Sequence, residues 1–465
     1  MGRLGKKNID SPQSITEGVI WQQLLVFFFP ILLGTFFQQL YNTADAIIVG
    51  KFVGTGALAA VGSTGSLINL IVGFFMGLAS GATVIVSQFY GARQEKDVSR
   101  TVHTAMAFAL VGGLFLSVVG YAISPALLHL MGTPEDIMPG ATSYIRIYFL
   151  GMIPMLIYNI GAGVLRAIGD SRRPLYFLIA SCLFNIVMDI ILVLGADMGV
   201  AGAALATTLS QFFSAILVLA TLLRSQTSYQ LHVKKIRFHG DIMKDMVRIG
   251  LPAGLQSVMY SISNVIIQST VNSFGTDVIA AWTAFGKLDA IFWMIISAFG
   301  ISITTFAGQN FGARKYDRMK KSVHTCLAMS FGATVLIIIF MLLLGRPLYG
   351  MFTDDARVLE LGMEILQQLA PFWLCYVCIE IYSGALRGAG DSFLPTLFTL
   401  VGVCLLRVAW LLFIVPGSGS LRLTLYCYPI TWSITSVMFL VYYYRSSWLK
   451  RSMKKYRHDQ ALPEE

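Results

Sequence analysis

Along this chain, apolar residues neither alternate with polar ones nor mark a single stripe of a surface helix. They run in long stretches interrupted only by glycine and other small residues. An α-helix needs about 20 apolar residues to cross the hydrocarbon of a bilayer. Barrel strands would instead show an alternating pattern. Stretches at 27–47, 57–86, 102–123, 144–164, 175–194, 201–223, 251–271, 280–306, 323–344, 366–386, 394–415 and 425–444 predict twelve transmembrane helices. No polar segment between them is long enough to form a soluble domain. The fold class expected is all-α and integral to a membrane.

Composition agrees: 56% of the 465 residues are hydrophobic, 12% are charged, and the mean hydropathy is +0.70. A soluble domain carries roughly a quarter charged residues. Placing the N-terminus in the cytoplasm puts 27 of the 34 Lys and Arg residues in inside segments. These begin with Arg3, Lys6 and Lys7 and continue through Arg93, Arg166, Arg224 and Arg314 to the run from Arg445 to Arg457. Outside loops hold only Lys51, Arg346, Arg357 and Arg422. This bias predicts a multi-pass protein of the cytoplasmic membrane with both termini inside, and an even number of spans. The net charge of +10 is thereby topological, and nucleic acid is not an expected partner. The polar first 20 or so residues lead into a full-length span, so no cleavable signal peptide is expected. The six cysteines fall within predicted helices; Cys375 and Cys378 form a CxxC with no second pair, which reads as core rather than as a metal site.

The chain repeats itself at an offset of 221. Gln88…Gly91-Ala92-Arg93 returns as Gln309…Gly312-Ala313-Arg314, and Val102-His103-Thr104 as Val323-His324-Thr325. Leu165-Arg166-x-x-Gly169-Asp170-Ser171 returns as Leu386-Arg387-x-x-Gly390-Asp391-Ser392. Six spans per copy let both halves enter from the same side, related by a pseudo-two-fold axis along the membrane normal. The domains expected are a cytoplasmic segment 1–23, an N-lobe 24–223, a linker 224–247, a C-lobe 248–444 and a cytoplasmic tail 445–465. Two facing bundles suit alternating access, although duplication also builds receptors and enzymes. The repeated motifs read as structural: Gly-Ala-Arg as a helix end, Asp-Ser as the cap of the next helix, and His103 and His324 as interfacial partners. Gly73, Gly77 and Gly81 indicate close helix packing.

An ionisable side chain within the bilayer costs at least about 2.5–3.5 kcal/mol on insertion scales, so each one carries a functional hypothesis. Asp45 on helix 1, Asn185 and Asp189 one turn apart on helix 5, and Thr207 on helix 6 could form an oxygen-rich cage for Na⁺ or for protons. The repeat places Leu406, Trp410 and Ile266 or Ile267 opposite Asn185, Asp189 and Asp45, so the acidic set is not duplicated. The second half has its own set: Lys287 and Asp289 on helix 8, Glu380 on helix 10 and Arg407 on helix 11. Lys287 and Asp289 point apart, so pairing with Glu380 or Arg407 across helices is expected. Gln38, Tyr41, Tyr260 and Asn264 are candidates for the lining of a central substrate cavity, and so are Lys287, Asp289, Glu380 and Arg407, which read equally as a static buried network or as a substrate or proton site.

Pro30…Gln38-Gln39…Asp45-x-x-x-x-Gly50, the Gly-Ala-Arg loops and the paired Arg-x-x-Gly-Asp-Ser loops resemble multidrug and toxic compound extrusion (MATE) transporters over nearly the whole chain. That resemblance implies a V-shaped, two-lobed, twelve-helix fold exporting organic cations in exchange for Na⁺ or H⁺. It matches the family's helix 1 acid to Asp45, its helix 5 Asn and Asp to Asn185 and Asp189, and its helix 6 Thr to Thr207. A NorM-like branch adds an acid on helix 7, where Met259, Tyr260 and Asn264 offer none. The expectation is a monomeric secondary antiporter in contact with membrane lipids, not an enzyme and without a cofactor. Two rivals remain: a flippase for lipid-linked precursors, whose cavity would have to be strongly cationic, and a membrane enzyme, for which no HExxH, GxSxG or Walker motif is present.

Overall fold

In the computed structural model the described residues are 15–416 and 419–460. Arg3, Lys6, Lys7 and the last five positions lie outside them. Every regular element among the described residues is helical. The first six spans are α1 (Ile20–Ile48, extended by a π-helical turn Val49–Val53), α2 (Thr55–Gly91), α3 (Glu95–Leu130), α4 (Met138–Leu150 and Met152–Ala167, bent by 49°), α5 (Arg172–Asp189, with a π-helical turn Ile190–Gly195) and α6 (Gly199–Arg224). The second six are α7 (Gly240–Asn272), α8 (Thr276–Gly312), α9 (Tyr316–Gly350), α10 (Ala356–Leu369 and Trp373–Gly388), α11 (Phe393–Thr399, π-helical Leu400–Leu405, then Leu406–Phe413) and α12 (Leu421–Leu425 and Cys427–Arg445). A further helix, α13 (Trp448–Gln460), follows.

Eleven of the twelve are long and apolar enough to span a bilayer, counting the two pieces of α4 as one. The exception is α7, whose apolar run is diluted by Gln256, Ser257, Ser261, Ser263, Asn264 and Gln268. Its place as the counterpart of α1 in the repeat makes it the twelfth. It also begins at Gly240, inside the stretch expected to be linker, so the connection shortens to 225–239. The first turns of α7 are charged on one side, while Ile242, Met246 and Ile249 on the other are buried in the hydrophobic core of the first half.

The converse holds for α1: Leu24, Phe27, Phe28 and Ile31 are buried in the core of the second half. Phe28 stacks on Phe299 at 4.1 Å and Phe27 meets Phe306 edge-on at 5.9 Å. Each lobe therefore sends the start of its first helix into the other.

Between them runs a seam of glycines. A Cβ on Gly77 would lie 2.5 Å from Gly254 Cα, one on Gly254 2.6 Å from Phe74 O, and one on Gly250 2.8 Å from Leu78 Cα. Backbones of α2 and α7 touch directly, which only glycine permits. The contact extends to Gly91 and Gly312, where each backbone meets the other lobe's Gln309 or Gln88. It ends in the other direction near Gly73 and Ser257, while Gly62 and Gly65 further along α2 have no neighbour within 4 Å. The two lobes thus meet at the end bearing the basic loops and part toward the other, which is the V expected.

At the joined end, Gln88 Nε2 donates to Gly388 O at 2.8 Å, and Gln309 Nε2 donates to Ala167 O at 2.6 Å. Both donors and both acceptors are related by the repeat offset. His103 and His324 are structural, as expected: the backbone N–H of His232 in the linker donates to His103 Nε2 at 3.0 Å, and His324 pairs with Tyr444 at 3.0 Å. Asp170 caps α5 by accepting from Arg172 N and Arg173 N, each at 3.1 Å. All six cysteines are free.

Candidate functional site

Three helices of the first lobe bring its intramembrane polar residues together. Gly34 lets α1 approach α5, a Cβ there lying 3.1 Å from Leu178 Cδ1, and α5 packs along α6. Asp45, Asn185, Asp189 and Thr207 all converge, with side chains 8%, 0%, 0% and 2% exposed respectively. Thr207 Oγ1 donates to Asp45 Oδ2 at 2.9 Å. The Asp189 and Asn185 side chains face the same carboxylate. Thr208 turns away and donates to Ile147 O at 3.1 Å.

The backbone is unusual at both acids. Asp189 directly precedes the π-helical turn Ile190–Gly195, and Asp45 lies four residues before the turn Val49–Val53. Such turns are rare and concentrate at functional positions.

The cluster has more acceptors than donors. Asp45 Oδ1, both carboxylate oxygens of Asp189, and both amide atoms of Asn185 are buried with no hydrogen-bond partner. Asn185 and Asp189, one turn apart on α5, form no hydrogen bond with each other. An unpaired buried polar atom is destabilising by about 1–3 kcal/mol, and more for a charged one. Four oxygens lacking partners in one place form an environment suited to a proton or a hard monovalent cation. Among the described residues no third carboxylate, His or Cys joins them to suggest a divalent transition-metal site.

Tyr41, expected in the cavity, stands beside Asp45 together with Tyr144 and Tyr148 of α4. Sequence reasoning missed the two α4 tyrosines, although their spacing of four residues puts them on one helix face. It also missed Gln88 and Gln309 as reciprocal cross-lobe donors; the offset alone had paired them. Gln38 and Asn264 are exposed, and neither has a contact that ties it to the cluster.

The second lobe corrects the expectation of cross-helix ion pairs. Lys287 is exposed, and among the described residues Lys287, Asp289, Glu380 and Arg407 form no salt bridge with one another. Asp289 instead accepts from Trp293 Nε1 at 2.6 Å, on its own helix. Glu380 fills the space left by Gly300, where a Cβ would lie 2.9 Å from its Cδ. Tyr260 and Tyr376 bring their hydroxyls to 3.3 Å.

The model of the MatE family matches residues 30–191 and 252–411, one copy in each lobe. The chain belongs to the MatE family. It is a multi-pass membrane transporter and not an enzyme. It is 27% identical over 95% of its length, and 97% of the relative's, to the probable multidrug resistance protein YoeA of Bacillus subtilis. It is 23% identical over 84% of its length, and 87% of the relative's, to the multidrug export protein MepA of Staphylococcus aureus. Among solved structures, a MATE in the bent conformation superposes with a TM-score of 0.87 at 21% identity, covering 96% of this chain and 98% of that one. An outward-facing multidrug resistance MATE transporter gives 0.86 at 21%, covering 98% and 100%.

Proposed function

We propose that this transporter is a secondary antiporter, exporting organic cations across the cytoplasmic membrane in exchange for H⁺ or Na⁺. The observation that carries the reading is the buried set Asp45, Asn185, Asp189 and Thr207, with its oxygens lacking partners. The family places relatives named for multidrug resistance and export beside it. The positive-inside rule puts the joined, basic end in the cytoplasm, so the conformation described is open to the outside. In that state the carboxylates take the coupling cation as the substrate leaves. Ion release toward the cytoplasm then favours the next substrate. Coupling requires only that the ion and the substrate differ in affinity between the two conformations. The combined negative charge of Asp45 and Asp189 suits exchange of a small cation for an organic one.

The test uses purified protein in vesicles loaded with ethidium, under an imposed Na⁺ gradient and, separately, a pH gradient. Flux driven by one gradient and abolished in Asp45→Asn is expected, and it identifies the coupling ion. Full flux in Asp45→Asn would overturn the assignment of the site.

A further inference from the structure

The Gly-Ala-Arg loops end two helices, but a helix end does not require their arginines. Arg93, just past α2, has φ 59°, and Arg314, just past α8, has φ 56°; both are left-handed. Backbone N–H groups close the two helices in the same way. Arg93 N donates to Tyr90 O at 3.1 Å and Gln94 N to Phe89 O at 2.9 Å. Arg314 N donates to Phe311 O at 3.0 Å and Lys315 N to Asn310 O at 2.8 Å. Glycine closes a helix this way without strain, whereas a residue with a Cβ is disfavoured there by about 1–2 kcal/mol. Among the described residues the one other left-handed non-glycine is Asp197, a type that tolerates the conformation. Both halves thus hold an arginine where the backbone favours glycine, which points to a use for the side chain. Among the described residues neither guanidinium has a salt bridge or a hydrogen bond.

The two loops line one cavity of about 340 Å³ at the joined end of the lobes. Arg93 comes from the first lobe, and Arg314 and Lys315 from the second. Thr16, Gln94 and Tyr456 also line it, and no carboxylate does. The nearest acid to this lining is Glu17, exposed and 4.0 Å from Lys315 Nζ. The N-terminal side of the cavity is fastened to the second lobe: Lys315 Nζ donates to Thr16 O at 2.9 Å, and Arg318 donates to Glu17 O and Gly18 O, each at 2.8 Å. A cleft lined by one sign of charge concentrates counter-ions. Guanidinium forks and an ammonium are the donors that suit the oxygens of a phosphate.

We propose that this cavity binds a phosphate group between Arg93 of one lobe and Arg314 and Lys315 of the other, and that the bound group holds the outward-open conformation. The cavity exists because Gly91 meets Gln309 and Gly312 meets Gln88 across the seam. Opening toward the cytoplasm parts Arg93 from Arg314 and dismantles it. A ligand that binds one of two conformations shifts the population toward that one. The site is separate from the acidic cluster and does not depend on which ion drives transport. Its phosphate comes either from the cytosol or from the headgroup of an anionic lipid in the inner leaflet.

The test uses full-length purified protein in dodecyl maltoside, a detergent without phosphate. Spin labels across the joined end report the ratio of outward-open to inward-open molecules. In one arm sodium phosphate replaces sodium chloride at constant ionic strength. In the other, phosphatidylglycerol is added to the micelles and compared with diacylglycerol, which lacks the phosphate. At ten times the half-saturating concentration, the ratio in wild type is expected to rise about tenfold. A response to inorganic phosphate identifies the cytosolic source, and a response to the lipid alone identifies the membrane.

Arg93→Gly combined with Arg314→Gly removes both guanidinium groups and relieves the left-handed residues, so the helix ends persist. This variant is expected to lose the response. Lys320→Gln combined with Lys321→Gln removes the same charge from exposed positions on α9 and is expected to respond as wild type does. No response of wild type in either arm, an undiminished response in the glycine variant, or an equal loss in the lysine variant overturns the proposal. Dye flux is not part of the measurement, so its outcome leaves the antiport reading to its own test.

Discussion

Thr207 donates to Asp45 Oδ2 at 2.9 Å, beside the Asp189 and Asn185 side chains that face the same carboxylate. A hydrogen bond to a charged acceptor contributes about 1.5–3 kcal/mol. Thr207→Val keeps the shape and removes the donor, so the ion concentration giving half-maximal transport should shift by about tenfold. An unchanged midpoint would remove Thr207 from the site. The residues of this cluster were legible beforehand because a charge within an apolar stretch is costly wherever the chain folds. The partners in the second lobe were not. Pairing Lys287 or Asp289 with Glu380 or Arg407 depends on how neighbouring helices are rotated, which spacing along one helix does not report. Local geometry supplied a different partner for Asp289, the indole of Trp293 one turn away.

For whole elements, the glycine spacing in α2 announced close packing, but its partner turned out to be α7 of the opposite lobe. Gly77→Val would place a side chain against Gly254, with its Cβ 2.5 Å from the neighbouring Cα. Backbone cannot yield as a side chain tip can, so the variant should force α2 and α7 apart. Spin labels across the joined end should then report a longer distance, and an unchanged distance would contradict the packing. The start of α7 escaped the sequence reading for a related reason. Its apolar residues Ile242, Met246 and Ile249 follow helical spacing, yet Asp241, Lys244, Asp245 and Arg248 make the segment polar on average. Such an amphipathic stretch becomes interpretable as a helix once the core that receives it is known.

Across the whole molecule, closure at the basic end involves a reciprocal pair, Gln88 to Gly388 O and Gln309 to Ala167 O. α13 adds to it, as Tyr456 contacts Phe311 of one lobe and Gln94, the residue before α3, of the other. Opening to the other side must break both glutamine bonds. At about 1 kcal/mol each, Gln88→Ala with Gln309→Ala should raise the ratio of inward-open to outward-open protein roughly thirtyfold. Cysteine accessibility or spin-label distances at the joined end measure that ratio, and no change would show that the bonds do not hold the lobes together. By itself the sequence determined the helical class, the number of spans, the two-fold repeat and the acidic residues, because hydrophobic length, charge cost and internal similarity are properties of the chain alone. Only the tertiary structure decided which helices touch across the seam, how α1 and α7 exchange between lobes, and that Arg407 is buried without a salt bridge to Asp289 or Glu380. Those outcomes depend on the relative rotation and depth of packed helices, on which the periodicity of any one helix is silent.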